Sequence, residues 1–200
     1  MDKQPLLICI PDISGFTRFM TDMDFDLTSK VIPSLLNKII YANSIGLKVS
    51  EIEGDAVLFF KTGELPSLND LITQCKQFYT DFYAQLDILR KKHNGVKGAD
   101  KIPKMLGLKI VLHYGEEIGL VQIEKRIKLM GEDVITAHRL LKNDLTIDEY
   151  ILISDDLISQ FRKFEINNNF EWDTLKVGSM ELDHIGTVKF NYIDLTPLIE

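Results

Sequence analysis

The chain lacks a basic excess. Its 23 Lys and Arg stand against 30 Asp and Glu, for a formal net charge of -7. Proteins that bind nucleic acid broadly, or anionic membranes, need a basic footprint, so this balance counts against both partners. It leaves a nucleotide ligand open, provided metal ions or local basic groups meet the phosphates. Cysteine is scarce too. The two present, Cys9 and Cys75, lie in apolar segments and read as reduced core thiols of a reducing compartment. No apolar run approaches a membrane span, and MDKQPLLICIPD has too short a run for a signal peptide. The expected location is therefore cytoplasmic. Internal repeats, low-complexity segments and domain boundaries are also missing. What remains is 200 residues, 45% hydrophobic and 26% charged, which suits one ordinary domain with a sizeable core.

The organising stretch is 47–62, LKVSEIEGDAVLFFKT. Alternation through Val49 to Glu53, then an apolar run from Ala56 to Phe60, reads as two strands. Gly54-Asp55 between them is a favoured two-residue hairpin turn. A second carboxylate, Asp12, follows the short apolar strand 6–10, which Pro11 is expected to stop. If these strands are neighbours, Asp12 and Asp55 face one site, and two carboxylates there repel unless a cation sits between them.

In chain order, DISGFTRFM begins a helix that Asp12 or Ser14 can cap. Val31, Ile32, Leu35, Leu36, Ile39 and Ile40 mark a helical face ending near Ala42, with Pro33 close to its start. After the hairpin, Leu68 to Leu89 carries a long amphipathic helix with Arg90, Lys91 and Lys92 at its dipole end. Residues 93–104 read as a loop. Strand 106–114, a turn at Gly115-Glu116-Glu117 and a partner strand 119–123 come next. Lys125, Arg126 and Lys128 form a solvated basic connector to a helix over 133–141. Strand 150–153 leads to a helix started by Ser154, Asp155 and Asp156. Three strands, 170–177, 180–185 and 188–193, with turns at Gly178 and Gly186, close the chain. The expected fold class is α+β, a ferredoxin-like or palm-type sandwich with helices on a mostly antiparallel sheet. His113 and His138 read as packed or helix-surface residues. Glu51 and Glu53 read as solvated strand residues.

Four stretches, PDISGFTRFM, SEIEGDAVLFF, LHYGEEIGL and MGEDVITAHRL, together resemble the class III adenylate and guanylate cyclase catalytic domain. The resemblance runs through nearly the whole chain and implies one cyclase-like domain over 1–200. It implies a dimer with active sites between subunits. There the family converts a nucleoside triphosphate to a 3′,5′-cyclic monophosphate and pyrophosphate with two Mg²⁺ or Mn²⁺ ions. Asp12 and Asp55 match the metal-binding aspartates. The backbone of Ile13, Ser14, Gly15 and Phe16 matches the segment that helps hold the triphosphate, consistent with the attraction of helix-start amides for phosphate. EGDAV only partly echoes the signature hairpin of diguanylate cyclases, a related palm fold.

The remaining family positions are mixed. The family helix bears an Asn and, four residues later, an Arg that stabilise the transition state. Arg139 matches the Arg, while Ile135 stands in the Asn position. That spacing puts both on one helical face, where Ile135 offers a methyl instead of a donor. Losing one such donor typically costs about 100- to 1,000-fold in rate. Lys189 in GTVKFNY is offered for the phosphate-contacting lysine. At the base-choice positions, Glu51 matches guanylate cyclases, since a carboxylate accepts from guanine N1–H and the 2-amino group. Lys128 matches neither class: it either donates to guanine O6 or salt-bridges Glu51 and blocks the pocket. The reading is a degenerate or weakly active cyclase-like domain that binds metal and a purine nucleoside triphosphate, with an active cyclase preferring GTP over ATP as the alternative.

Overall fold

The computed structural model describes residues 3–199, apart from the side chains of Arg126 and Asn167. The order is β1 (Lys3–Ser14), α1 (Phe16–Asp22), α2 (Phe25–Tyr41), β2 (Lys48–Glu53), β3 (Ala56–Thr62), α3 (Leu68–Lys92) and α4 (Ile102–Met105). There follow β4 (Gly107–Ile123), β5 (Arg126–Met130), α5 (Glu132–Leu140), β6 (Tyr150–Ser154), α6 (Asp155–Ile158), α7 (Lys163–Asn168), β7 (Lys176–Leu182) and β8 (Gly186–Asp194). The strands form one sheet in the order β2-β3-β1-β4-β6-β8-β7, with β5 added to the far half of β4. All pairs are antiparallel except β4 with β6. This is the α+β sandwich expected from the sequence.

Strand alternation divides the core. Leu7, Cys9, Ile13, Val57 and Phe59 point to one face and pack under α2 and α3, against Leu35, Phe78 and Phe82. Ile8, Ile10, Leu58, Phe60, Val111 and Leu152 point to the other, where α5 supplies Val134, Ala137 and Leu140. Asp12, two residues beyond Ile10, therefore belongs to the α5 face. Cys9 and Cys75 are buried free thiols, and burial holds both well above the ordinary thiol range.

Several local expectations are corrected. Pro11 does not stop β1, which runs on to Ser14. Pairing to β3 is absent at Ile10 and Pro11 and resumes at Asp12, so the missing N–H costs little there while β4 pairs along the whole stretch. Asp12 and Ser14 do not cap α1. Its cap is Gly15 at φ 78, and a Cβ at that residue would collide with the Met105 carbonyl. Helix α2 starts at Phe25 because Leu27 and Thr28 also find the core, which leaves Pro33 inside the helix. The segment 93–104 carries a 3-10 turn, Ala99–Lys101, and then α4.

Gly115-Glu116-Glu117 is not a turn. Strand β4 passes through it, because Lys3 and Gln4 of β1 pair with Gly119 and Ile118, and the Lys3 ammonium lies 2.6 Å from Glu117. The supposed basic connector is strand β5, with Lys128 opposite Val121; the Arg126 side chain lies outside the described residues. The chain closes with two strands, not three. Residues 170–175 are held by side chains: Trp172 donates to the Asp194 carbonyl at 2.7 Å and packs under the Lys76 ammonium. Gly178 lies inside β7 opposite Phe190, whose ring occupies the space a Cβ would need.

Candidate functional site

The Gly54-Asp55 tip forms as its turn chemistry requires, with Gly54 at φ 61. Asp12 pairs across with Ala56, the residue after Asp55, and the Ile13 amide donates to the Asp55 carbonyl at 3.0 Å. The hairpin tip is thus fastened to the end of the central strand, and the two aspartates lie at one end of the sheet. The Ile13 amide is consumed by this bond. Ser14 is also engaged, its hydroxyl donating to the Asp148 carbonyl at 2.6 Å.

A third group completes the cluster. Lys109 of β4 pairs with Asp12, and its ammonium sits 3.6 Å from Asp12 Oδ1 and 3.2 Å from the Leu141 carbonyl beyond α5. The Asp12 side chain is only 15% exposed. Burial pushes its carboxyl up to about 6, Lys109 pulls it back, and the Asp55 charge raises it further. Burial likewise raises Asp55, against the pull of its own amide and of Lys109. Sequence reasoning missed Lys109. The signal was there: it is the one charged residue in LGLKIVL, and its alternation with Leu108 and Ile110 turns it to the face of Asp12.

The other candidates lie elsewhere in the chain. Glu51 of β2 and Lys128 of β5 meet as an ion pair at 3.4 Å, and the Ser50 hydroxyl donates to the Ile127 carbonyl at 3.0 Å. Lys128 is therefore found in the salt-bridge arrangement. A bulge between Val49 and Glu51 turns Glu51 and Glu53 to the α5 face, and Glu53 lies 3.8 Å from His138 Nδ1. Ile135 and Arg139 share the outer face of α5, both exposed, Ile135 at 54%. Lys189 is exposed on β8, three strands from β1, or about 14 Å. His113 is buried, as expected, with Nδ1 2.9 Å from the Ser154 hydroxyl. Within one chain, then, Asp12, Asp55 and Lys109 converge, while Glu51, Lys128, Ile135, Arg139 and Lys189 stand apart from them.

Among the described residues, no group of three or more His, Cys, Asp or Glu is arranged to hold a metal ion. The Asp12–Asp55 pair fits a narrower demand. Both are hard oxygen donors, and Mg²⁺ commonly takes only one or two carboxylates, filling its shell with water and substrate phosphates. Asp12, crowded by Asp55 and only partly offset by Lys109, has room for further positive charge.

Solved structures similar to this chain share one fold. The guanylyl cyclase Cya2 is similar over 96% of this chain and 92% of its own, with TM-score 0.64 and 18% identity. The adenylyl cyclase CyaB from P. aeruginosa matches over 96% and 95%, with TM-score 0.63 and 16% identity. The guanylate cyclase domain of RhGC from Catenaria anguillulae, solved in complex with GTP, matches over 95% and 96%, with TM-score 0.63 and 18% identity. The chain thus has the fold of the class III cyclase catalytic domain. In sequence, an uncharacterized protein of Mycobacterium tuberculosis (strain ATCC 25618 / H37Rv) is 30% identical over 113 residues, which are 55% of this chain and 51% of that protein. The chain spans about half the length of this curated relative. Residues 32–150 match DUF2652, described as a protein of unknown function, and the chain belongs to that family.

Proposed function

We propose that the chain is a single divergent cyclase-like domain over residues 1–200 that binds a divalent ion and a purine nucleoside triphosphate in the cytoplasm, with its transition-state half impaired. One observation carries this reading: the β1–β3 register sets Asp12 beside Asp55, with the Ile13 amide tied to the Asp55 carbonyl. Asp12 and Asp55 would hold Mg²⁺ or Mn²⁺, in a two-ion arrangement if the family pattern is followed. Such an ion, when bound, supplies charge neutralisation for the phosphates and activation of the ribose hydroxyl. Lys109 adds a fixed positive charge for the phosphates. The amides of Gly15 and Phe16, where α1 opens, extend the same edge, with Ser14 beside them.

Ile135 and Arg139 are turned outward on α5, so they would serve the Asp12–Asp55 site of a second copy in a homodimer. In that arrangement Arg139 and Lys189 offer positive charge, while Ile135 offers no hydrogen bond. Glu51 and Lys128 would meet the base only by exchanging their mutual ion pair for it. Guanine suits them better than adenine, because it presents N1–H and the 2-amino group to a carboxylate and O6 to an ammonium. The Glu51 position keeps a second reading in view, an active cyclase working on GTP in preference to ATP. The test is binding of a fluorescent GTP analogue with Mn²⁺, alongside cyclic nucleotide formation from all four NTPs. Absence of metal-dependent binding would sink the reading. Robust turnover would replace the impaired domain with the active one.

A further inference from the structure

The Asp12 site is tethered to the far end of α5. Asp12 of β1 pairs with Lys109 of β4, and the Ile110–Ile151 pairing of β4 with β6 sets Tyr150 beside Lys109. Asp12, Lys109 and Tyr150 therefore form a row across three strands. Tyr150 packs on the α5 face with Leu140 and Leu141, where that helix ends.

Two side chains grip this helix end. Asn143, in the loop after α5, donates to the Leu140 carbonyl and to the Tyr150 phenol oxygen, both at 2.7 Å. Its own carbonyl accepts the Leu145 amide at 3.1 Å. Tyr150 is 3% exposed, and burial pushes its phenol up to about 12, so it stays a neutral hydroxyl against which Asn143 is braced. Lys109 takes the next carbonyl, donating to Leu141 at 3.2 Å.

The position of the ammonium follows from that bond. An ammonium in direct hydrogen bonding with a carboxylate closes to about 2.7–2.9 Å. Lys109 stops 3.6 Å from Asp12 Oδ1, with its hydrogen bond given to Leu141 instead. Its charge offsets the aspartate pair, yet the Asp12 oxygens keep their lone pairs for another cation. Resting on the divalent-ion reading of the Asp12–Asp55 pair, we propose that Asn143 and Tyr150 are positioning residues of that site: they fix the carbonyl end of α5, which holds the Lys109 ammonium off Asp12 and leaves the carboxylate open to a divalent ion. Without them the ammonium closes on Asp12 and competes with the ion.

The experiment is a Mn²⁺ titration of the full chain, with free Mn²⁺ read by electron paramagnetic resonance well below the melting temperature. Tyr150→Phe keeps the ring and removes the oxygen that braces Asn143, while Asn143→Ala also removes the grip on Leu140. Each should weaken Mn²⁺ binding about tenfold. Lys109→Met should bind Mn²⁺ more tightly than the wild type, and Tyr150→Phe added to it should change nothing further. A general loosening of the fold would weaken binding with or without Lys109, so an undiminished loss in the Lys109→Met background would overturn the proposal. So would wild-type affinity in Tyr150→Phe. Mn²⁺ binding by neither the wild type nor Lys109→Met would sink the divalent-ion reading itself, and this inference with it.

Discussion

The Lys109 ammonium stands 3.6 Å from Asp12 Oδ1, on the strand paired with β1, and donates a hydrogen bond to the Leu141 carbonyl. It is an internal counter-ion for an aspartate pair that burial disfavours. Lys109→Met removes it and leaves the two carboxylates uncompensated. The expected cost is about 1–3 kcal/mol, or roughly 2–12 °C in Tm for a chain of this size. Added Mn²⁺ should recover more Tm in the variant than in the wild type. Thermal melts with and without Mn²⁺ measure both, and an unchanged Tm without metal would show that Lys109 does not play this part.

Asp55→Ala should abolish Mn²⁺-dependent binding of the GTP analogue while the fold persists. The side chain sits at a turn, and the Ile13 amide bonds to its backbone carbonyl, which the substitution keeps. Far-UV circular dichroism should superimpose on that of the wild type. Undiminished nucleotide affinity would place the ion elsewhere.

Ile135→Asn puts a donor on the outer face of α5. The position is 54% exposed, so the change should cost no more than about 0.5 kcal/mol. If this donor is the only deficit, cyclic nucleotide formation with Mn²⁺-GTP should rise by about 100- to 1,000-fold. A stable variant without activity on GTP or ATP would shift attention to the Glu51–Lys128 pair.

Arg139 shares that outer face, so a composite site requires two copies. A two-fold symmetric dimer is expected at high concentration by sedimentation. A monomer throughout would defeat the composite site but leave the Asp12–Asp55–Lys109 cluster within each chain.

Glu149 supplies a pH test away from the proposed metal site. It accepts hydrogen bonds from Tyr83 at 2.6 Å, Tyr79 at 3.2 Å and the Leu108 amide at 3.2 Å. Burial nevertheless raises its carboxyl above the ordinary 4.5, with these bonds pulling the other way. A raised folded value means that the folded chain holds this proton more tightly than the unfolded one. Its contribution is therefore fully present below pH 4.5 and is lost as pH rises through the folded value. Between neutral pH and that range, wild type should gain stability relative to Glu149→Gln as pH falls. Parallel denaturation curves at each pH would refute the assignment.

Elements whose causes are local were legible in the sequence. Gly54-Asp55 forms its hairpin because the turn needs a positive φ where glycine stands. The apolar stripe from Leu68 to Leu89 forms α3, with Ser67 capping its start by accepting the Asp70 amide. Ser154 caps α6 by the same chemistry. The residues of the candidate site were legible one at a time: Asp12 and Asp55 as carboxylates beside apolar strands, Ile135 and Arg139 as one helical face.

What only the tertiary structure decided is which of these residues meet, and where local punctuation is overruled. Gly115-Glu116-Glu117 has turn composition, yet β1 pairs alongside it and Lys3 engages Glu117, so ladder bonds outweigh the local preference. Pro11 lies mid-strand because β4 pairs where β3 does not. Gly178, a turn residue by propensity, leaves room for the Phe190 ring across the ladder. Lys109 reaches Asp12 through the β1–β4 register, and His113 reaches Ser154 through the β4–β6 register, relations between residues far apart in the chain. Spacing along one segment carries no information about the register of two distant ones, because cross-strand packing sets it.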